Sequence, residues 1–126
     1  MAMIYTVTLN PAIDKTVEIP GFSPGTVNRI TSVREDAGGK GINVSKCLKV
    51  LGTESVCAMV LAGDAGDRLA GLAEDEGLIT LSVRAQGQTR TNLKIVDRKS
   101  GTNTDINEPG PQVEQTVLQQ LLDKLC

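Results

Sequence analysis

Three glycines fall within the four residues 38–41 of the stretch Ala37-Gly38-Gly39-Lys40-Gly41-Ile42-Asn43, and a helical pattern begins directly behind them. No other stretch constrains the chain as much. From Val44 the apolar positions Val44, Cys47, Leu48 and Leu51 step as i, i+3, i+4, i+7, which is one face of a helix. Gly52 is placed to end it. Glycines at a helix start let the backbone approach a ligand closely, and the first N–H groups there lack intrahelical partners. Such a site suits an anion or sugar hydroxyls. Lys40 adds a charge, and Asn43 adds a donor and an acceptor. The same residues also suit a plain turn with cap glycines.

Composition removes several classes. A chain of 126 residues, 40% hydrophobic, is expected to be one domain with a core. With one Phe, one Tyr and no Trp, that core is aliphatic. A net charge of −2 with no basic tract argues against nucleic acid as a partner. No apolar run approaches a membrane span, and the start does not read as a signal peptide. The absence of histidine excludes Ser-His-Asp and Cys-His catalysis and His-ligated metals. Cys47, Cys57 and Cys126 show no metal-ligand spacing, so no metal site is expected, and the odd count suits reduced thiols in a cytoplasm. Cys47 and Cys57 read as core residues.

Taken in order, residues 3–9 read as a buried strand, broken by Asn10-Pro11. Residues 13–19 alternate, with Ile13, Val17 and Ile19 on one face and Asp14, Thr16 and Glu18 on the other. Residues 27–33 form a second possible strand, pairing with the first as an antiparallel unit projecting from the core. After the central helix, residues 55–62 are an apolar run typical of a strand buried on both faces. Residues 63–66 read as a turn, 67–76 as a helix with Leu69, Leu72 and Ala73 inward, and 78–83 as the next strand. Strands alternating with helices predict a parallel α/β sheet. Residues 90–97 and 102–107 predict a hairpin with one polar face, on which Arg90, Asn92 and Lys94 lie together. Val113, Val117, Leu118, Leu121, Leu122 and Leu125 mark a final helix. It has a Pro at its start but no stop signal, and its apolar face is expected to stand uncovered, as in a truncated chain. A native C-terminal helix packed on the sheet is the alternative.

Asp14, Lys40 with Asn43, and Arg90 with Asn92 and Lys94 are the polar groups that suit a phosphorylated polyol. Asp14 accepts from hydroxyls, Arg90 can grip phosphate with a fork, and Lys40 or Lys94 can add charge. Each taken singly also suits a solvated strand face. Residues 38–41 do not form a Walker P-loop or a dinucleotide fingerprint, because the spacing of both is missing. Asp64 to Asp67 reads as a strand-to-helix turn.

Thr8-Leu9-Asn10-Pro11-Ala12-Ile13-Asp14, Val27-Asn28-Arg29, and residues 37–45 together resemble the amino-terminal half of the phosphofructokinase B branch of the ribokinase family. Residues 89–94 and 104–111 extend the match. Within the family the chain is most similar to kinases of fructose 1-phosphate, and next to those of tagatose 6-phosphate. The resemblance implies an α/β fold: a ribokinase-like core with a parallel-rich sheet flanked by helices, plus a small β-sheet lid. Residues 1–126 would be the amino-terminal portion of one such domain, with lid segments at about 13–35 and 89–107. It implies substrate-binding roles for Asp14, Gly38, Gly39, Lys40, Asn43 and Arg90. Lys94 and Asn107 are further candidates, and Arg29 would reach the phosphates from the lid.

The family's catalytic Asp, in a Gly-x-Gly-Asp motif, lies beyond residue 126, as do the ATP pocket and the acidic residues serving Mg²⁺. The resemblance therefore implies a cytoplasmic sugar-phosphate kinase, a homodimer through its β lid. It would move the γ-phosphoryl of MgATP to a hydroxyl of fructose 1-phosphate, and this chain alone would be inactive. Tagatose 6-phosphate or fructose 6-phosphate as substrate, or a non-catalytic sugar-phosphate-binding module, are the alternatives.

Overall fold

The computed structural model describes residues 3–126. Its strands are β1 (Ile4–Thr8), β2 (Ala12–Glu18), β3 (Ser32–Gly38), β4 (Ser55–Ala62), β5 (Ile79–Ala85), β6 (Arg90–Asp97) and β7 (Thr102–Asn107). Its helices are α1 (Lys40–Val50), α2 (Gly63–Asp75) and α3 (Gln115–Leu125). They form two sheets. One is parallel, in the order β1-β4-β5; the other is mixed, in the order β3-β2-β6-β7.

The central strand β4 explains the layering. Its side chains alternate between the two faces of the parallel sheet. Cys57, Met59 and Leu61 enter one cluster with Ile42 of α1 and Leu69 and Ala73 of α2. Ala58 and Val60 enter the opposite cluster with Val83 of β5 and Val117 and Leu121 of α3. Helices therefore cover both faces, and a strand with no polar side is the sequence such a position demands. Burying each of Met59, Leu61 and Leu69 contributes about 1.5–3 kcal/mol. The second sheet has its own small core of Val17, Ile19 and Ile95, packed by Phe22 and Leu93.

Several expectations need correction. The strand expected at 27–33 lies later, at Ser32–Gly38, and runs straight into the glycine stretch. Residues before it form a loop in which Asn28 bonds Ser23 and Thr26, and Val27 is exposed. An asparagine that satisfies backbone groups in this way competes with a sheet ladder. Strand β1 is only half buried: Thr6 and Thr8 are covered, whereas Tyr5 and Val7 are not. It is an edge strand whose one partner is β4, and α3 packs on β4 and β5.

In α1 the buried residues are Ile42 and Ser45, and Val44 and Leu51 point outward. Cys47 is exposed and Cys57 is buried. The inward face is set by close approach. The Ser45 hydroxyl lies 2.7 Å from that of Thr6 and accepts from Ser55 at 2.8 Å. A bulkier apolar residue would not fit between α1 and the strands. The turn expected at 63–66 is the first turn of α2. The final helix is covered only in part: Val117 and Leu121 are buried on the sheet, with Val113 and Leu125 packed against them, while Leu122 stays 53% exposed.

Candidate functional site

The second sheet gathers the polar residues on one face, through register. Asp14 in β2 pairs with Asp36 of β3 on one side and Asn92 of β6 on the other, and Asn92 pairs with Asn107 of β7. Two residues inward, Ala12 is flanked by Gly38 and Arg90; two outward, Thr16 is flanked by Arg34 and Lys94, with Asp105 beyond Lys94. Positions i and i+2 of a strand share a face, so these three rungs line one surface. They shape a cleft of about 310 Å³, lined by Asp14, Thr16, Arg34, Asp36, Asn92, Lys94, Asp105 and Asn107 among others.

Asp14 is the centre of this face. Partial burial raises its pKa above the usual carboxylate value, and Asp36 pushes the same way, while Lys46, Arg90 and Lys94 pull it down. Beside it, the Asn92 side-chain oxygen is buried without a hydrogen-bond partner. A buried acceptor left unpaired is costly, and a ligand hydroxyl would satisfy it. Arg34 donates its Nε to Asp36 at 3.0 Å. Arg90 donates its Nε to the Asn10 carbonyl at 3.2 Å, and Asn10 in turn donates to the Pro109 carbonyl at 3.0 Å. The Glu108 carboxylate accepts from the Thr91 amide at 2.7 Å. These bonds tie the strand ends at the inner edge of the face.

The glycine stretch joins this face to the core. A β-carbon on Gly39 would come within 2.7 Å of the Thr8 methyl, and its φ of +135° is one that side-chain-bearing residues avoid. The first bond of α1 runs from the Asn43 amide to the Gly39 carbonyl at 2.9 Å, so the N–H groups of residues 40–42 precede the helical ladder. Lys40 and Asn43 are exposed on that first turn. Lys46, one turn further, donates to the Ala37 carbonyl at 2.5 Å and pairs with Glu76 at 3.2 Å.

Asp14, Lys94 and Asn107 line the cleft, and Gly38 and Arg90 share its face one rung inward. Gly39, Lys40 and Asn43 stand at the adjoining helix start. Arg29 is not brought to them. It is exposed in the loop between β2 and β3, at the end of those strands opposite Gly38. Arg34, Asp36, Lys46 and Asp105 were missed. The signal for two of them was present: Arg34, Asp36 and Gly38 alternate, and a strand at 32–38 puts all three on one face.

The model of the pfkB family of carbohydrate kinases matches residues 3–125. The chain belongs to that family. Among its pfkB relatives, the 1-phosphofructokinase of Xanthomonas campestris is 48% identical over 122 residues, covering 96% of this chain and 38% of the relative. The tagatose-6-phosphate kinase of Staphylococcus epidermidis is 33% identical over 112 residues, 89% of this chain and 36% of the relative. The structure of Escherichia coli phosphofructokinase-2 with fructose-6-phosphate superposes with a TM-score of 0.92 at 30% identity, over 99% of this chain and 41% of that one. The chain thus spans about two fifths of the length of the pfkB proteins it matches, and its fold is ribokinase-like. No helix among the described residues is long and apolar enough to cross a membrane.

Proposed function

We propose that the polar face of the second sheet binds the sugar phosphate that a cytoplasmic pfkB kinase phosphorylates, with fructose 1-phosphate as that substrate. The observation carrying this reading is the rung on which Asp14 stands beside the unpartnered Asn92 oxygen. One group accepts from sugar hydroxyls, the other needs a donor, and cations flank them on both sides. Asp14 and Asn43 would hold hydroxyls, with the backbone of Gly38 and Gly39 close against the sugar. Arg90 would grip the existing phosphate, helped by Lys40, and Lys94 and Asn107 would border the sugar. Fructose 1-phosphate is favoured over tagatose 6-phosphate by the higher identity to relatives named for it.

In the whole protein the sugar hydroxyl would give its proton to the family's catalytic Asp while its oxygen bonds to the γ-phosphorus of ATP and the bond to the β-phosphate oxygen breaks, releasing ADP. Positioning and electrostatics carry most of such a transfer. In this reading ATP and Mg²⁺ are held by residues other than those of this chain. Among the described residues no three acidic or thiol side chains gather to hold a metal ion, and the Gly-x-Gly-Asp motif is absent from the sequence. The part of this chain is therefore to bind and orient the acceptor, and alone it would not turn over ATP.

A homodimer through the second sheet is part of the same reading. Val33 and Ile106 lie on the outer strands, on the face opposite Asp14, and each is 52% exposed. Sedimentation of the chain as a monomer at high concentration would count against it.

The test is calorimetric titration of the chain with fructose 1-phosphate. Binding is expected, and Asp14→Asn should weaken it at least about tenfold, the scale of one hydrogen bond to a charged group. Absence of binding, or an Asp14→Asn variant that binds equally well, overturns the reading. ATP turnover by the 126-residue chain would overturn the assignment of the transfer to other parts of the fold.

A further inference from the structure

The glycine turn between β3 and α1 has to be held by something outside itself. Glycine carries more backbone freedom than any other residue, and two stand together at 38 and 39. Among the described residues, the one side-chain hydrogen bond that ends on residues 37–41 comes from Lys46, whose ammonium donates to the Ala37 carbonyl at 2.5 Å. Lys46 lies on α1, and its bond runs back from the helix to the end of β3, closing the turn between them. Ala37 is fully buried, which makes an unmade bond at its carbonyl costly. The lysine is itself anchored. Its nitrogen lies 3.2 Å from a carboxylate oxygen of Glu76, just past the end of α2. That contact is off the line of a hydrogen bond, and no other group among the described residues serves the oxygen. Lys49 closes the same corner, donating to the Glu76 carbonyl at 2.7 Å.

We infer that Lys46 is a positioning residue of the acceptor site: held by Glu76, it fixes the Ala37 carbonyl and with it the Gly38–Gly39 backbone on which the sugar rests. This deepens the sugar-phosphate reading and rests on it. Lys46 does not line the cleft, so it acts through other groups and not by touching the sugar. One of those groups is the glycine turn, whose freedom a ligand would otherwise have to remove on binding. The other is Asp14. Of the cations around that carboxylate, Lys46 on α1 favours its ionised form most, ahead of Arg90 and Lys94 on β6, while burial and Asp36 on β3 oppose them. The ionised carboxylate accepts from hydroxyls on both oxygens, which is the role the acceptor site gives it. One ammonium therefore serves both the shape of the turn and the charge beside it.

The experiment titrates the chain and its variants by calorimetry with fructose 1-phosphate, at neutral pH and downward into the carboxylate range. Lys46→Met should weaken binding about tenfold at neutral pH, the scale of one hydrogen bond from a charged group. Lys46→Arg should restore part of the affinity. As the pH falls, binding by Lys46→Met should be lost at higher pH than in the parent, because a cation that favours the Asp14 carboxylate is gone. Lys46→Met also leaves Glu76 without its partner and destabilises the fold, so a second variant combines it with Glu76→Gln. Stability to urea should largely return in the double variant while the affinity stays low. A double variant that binds as tightly as the parent makes Lys46 a structural residue and refutes the inference. So does a loss of affinity in Lys46→Met with the pH dependence unmoved. If Asp14→Asn weakens binding while both Lys46 variants bind like the parent, this inference alone falls. If the parent does not bind, or Asp14→Asn is without effect, the sugar-phosphate reading falls and this one with it.

Discussion

A β-carbon at Gly38 would lie within 2.7 Å of both carboxylate oxygens of Asp14, so the carboxylate occupies the space that any other residue at 38 would fill. The two positions belong to neighbouring strands, 24 residues apart in the chain. Gly38→Ala should therefore act on the ligand through Asp14. Turning that side chain out of its rotamer costs about 0.5–1.5 kcal/mol. The expected result is a fall of that size in unfolding free energy by urea titration, together with a roughly tenfold or greater loss of fructose 1-phosphate affinity. Unchanged affinity would mean that Asp14 does not contact the ligand.

The start of α1 is pressed against β1. A β-carbon on Gly41 would stand 2.8 Å from the Val7 carbonyl oxygen, which is backbone and cannot swing away. Gly41→Ala should destabilise by about 1–3 kcal/mol, as overpacking does. Gly71 lies inside α2, and beyond its chain neighbours and the local helix backbone a β-carbon there would meet nothing within 4 Å. Gly71→Ala should stabilise by about 0.5–1 kcal/mol. Urea midpoints of the two variants moving in the same direction would contradict this.

Ser45 is the hub of a buried hydroxyl network linking α1 to β1 and β4, with Thr6 at 2.7 Å and Ser55 at 2.8 Å. Ser45→Ala strands the Ser55 proton and should lower stability by about 1–3 kcal/mol. Hydrogen exchange at the β1 amides should speed up with it, since β1 is an edge strand that α1 holds down.

Acid pH should act in opposite senses on two carboxylates. The Asp97 carboxylate accepts from the Gly21 amide at 2.9 Å, and from Lys99 and Ser100 at 3.0 and 3.3 Å. The Gly21 bond contributes most to holding its pKa below the usual 3.8. A folded-state pKa below the unfolded one stabilises above the unfolded value, and that stabilisation is lost as pH falls through the folded pKa. Asp97→Ala should be less stable than the parent at pH 7, with the gap closing below about pH 3.8. Asp14 is the reverse case: burial raises its folded-state pKa, so its contribution is present below 3.8 and is lost as pH rises. Asp14→Asn should be more stable than the parent at pH 7 and lose that advantage in acid. Melting temperatures across this range decide both.

Some of this was legible in the chain and some was not, for a physical reason. The apolar run of β4, the alternation of β2 and β6 and the polar hairpin face are local patterns. Each dictates one element from residues a few positions apart, and each stands where expected. The family motifs also named Asp14, Gly38 and Arg90, which share a face. The inward face of α1 was not legible. The period identifies an apolar stripe at Val44 and Leu51, but close packing on β1 selects the stripe with glycine and serine. The places of Arg34 and Asp36 beside Asp14 and Thr16 were not legible either, because they depend on register between strands joined by a loop. Periodicity within a segment determines what that segment can become. Which side chains meet across segments is decided only when strands pair and exclude one another's volume, and in this protein that pairing assembles the candidate site.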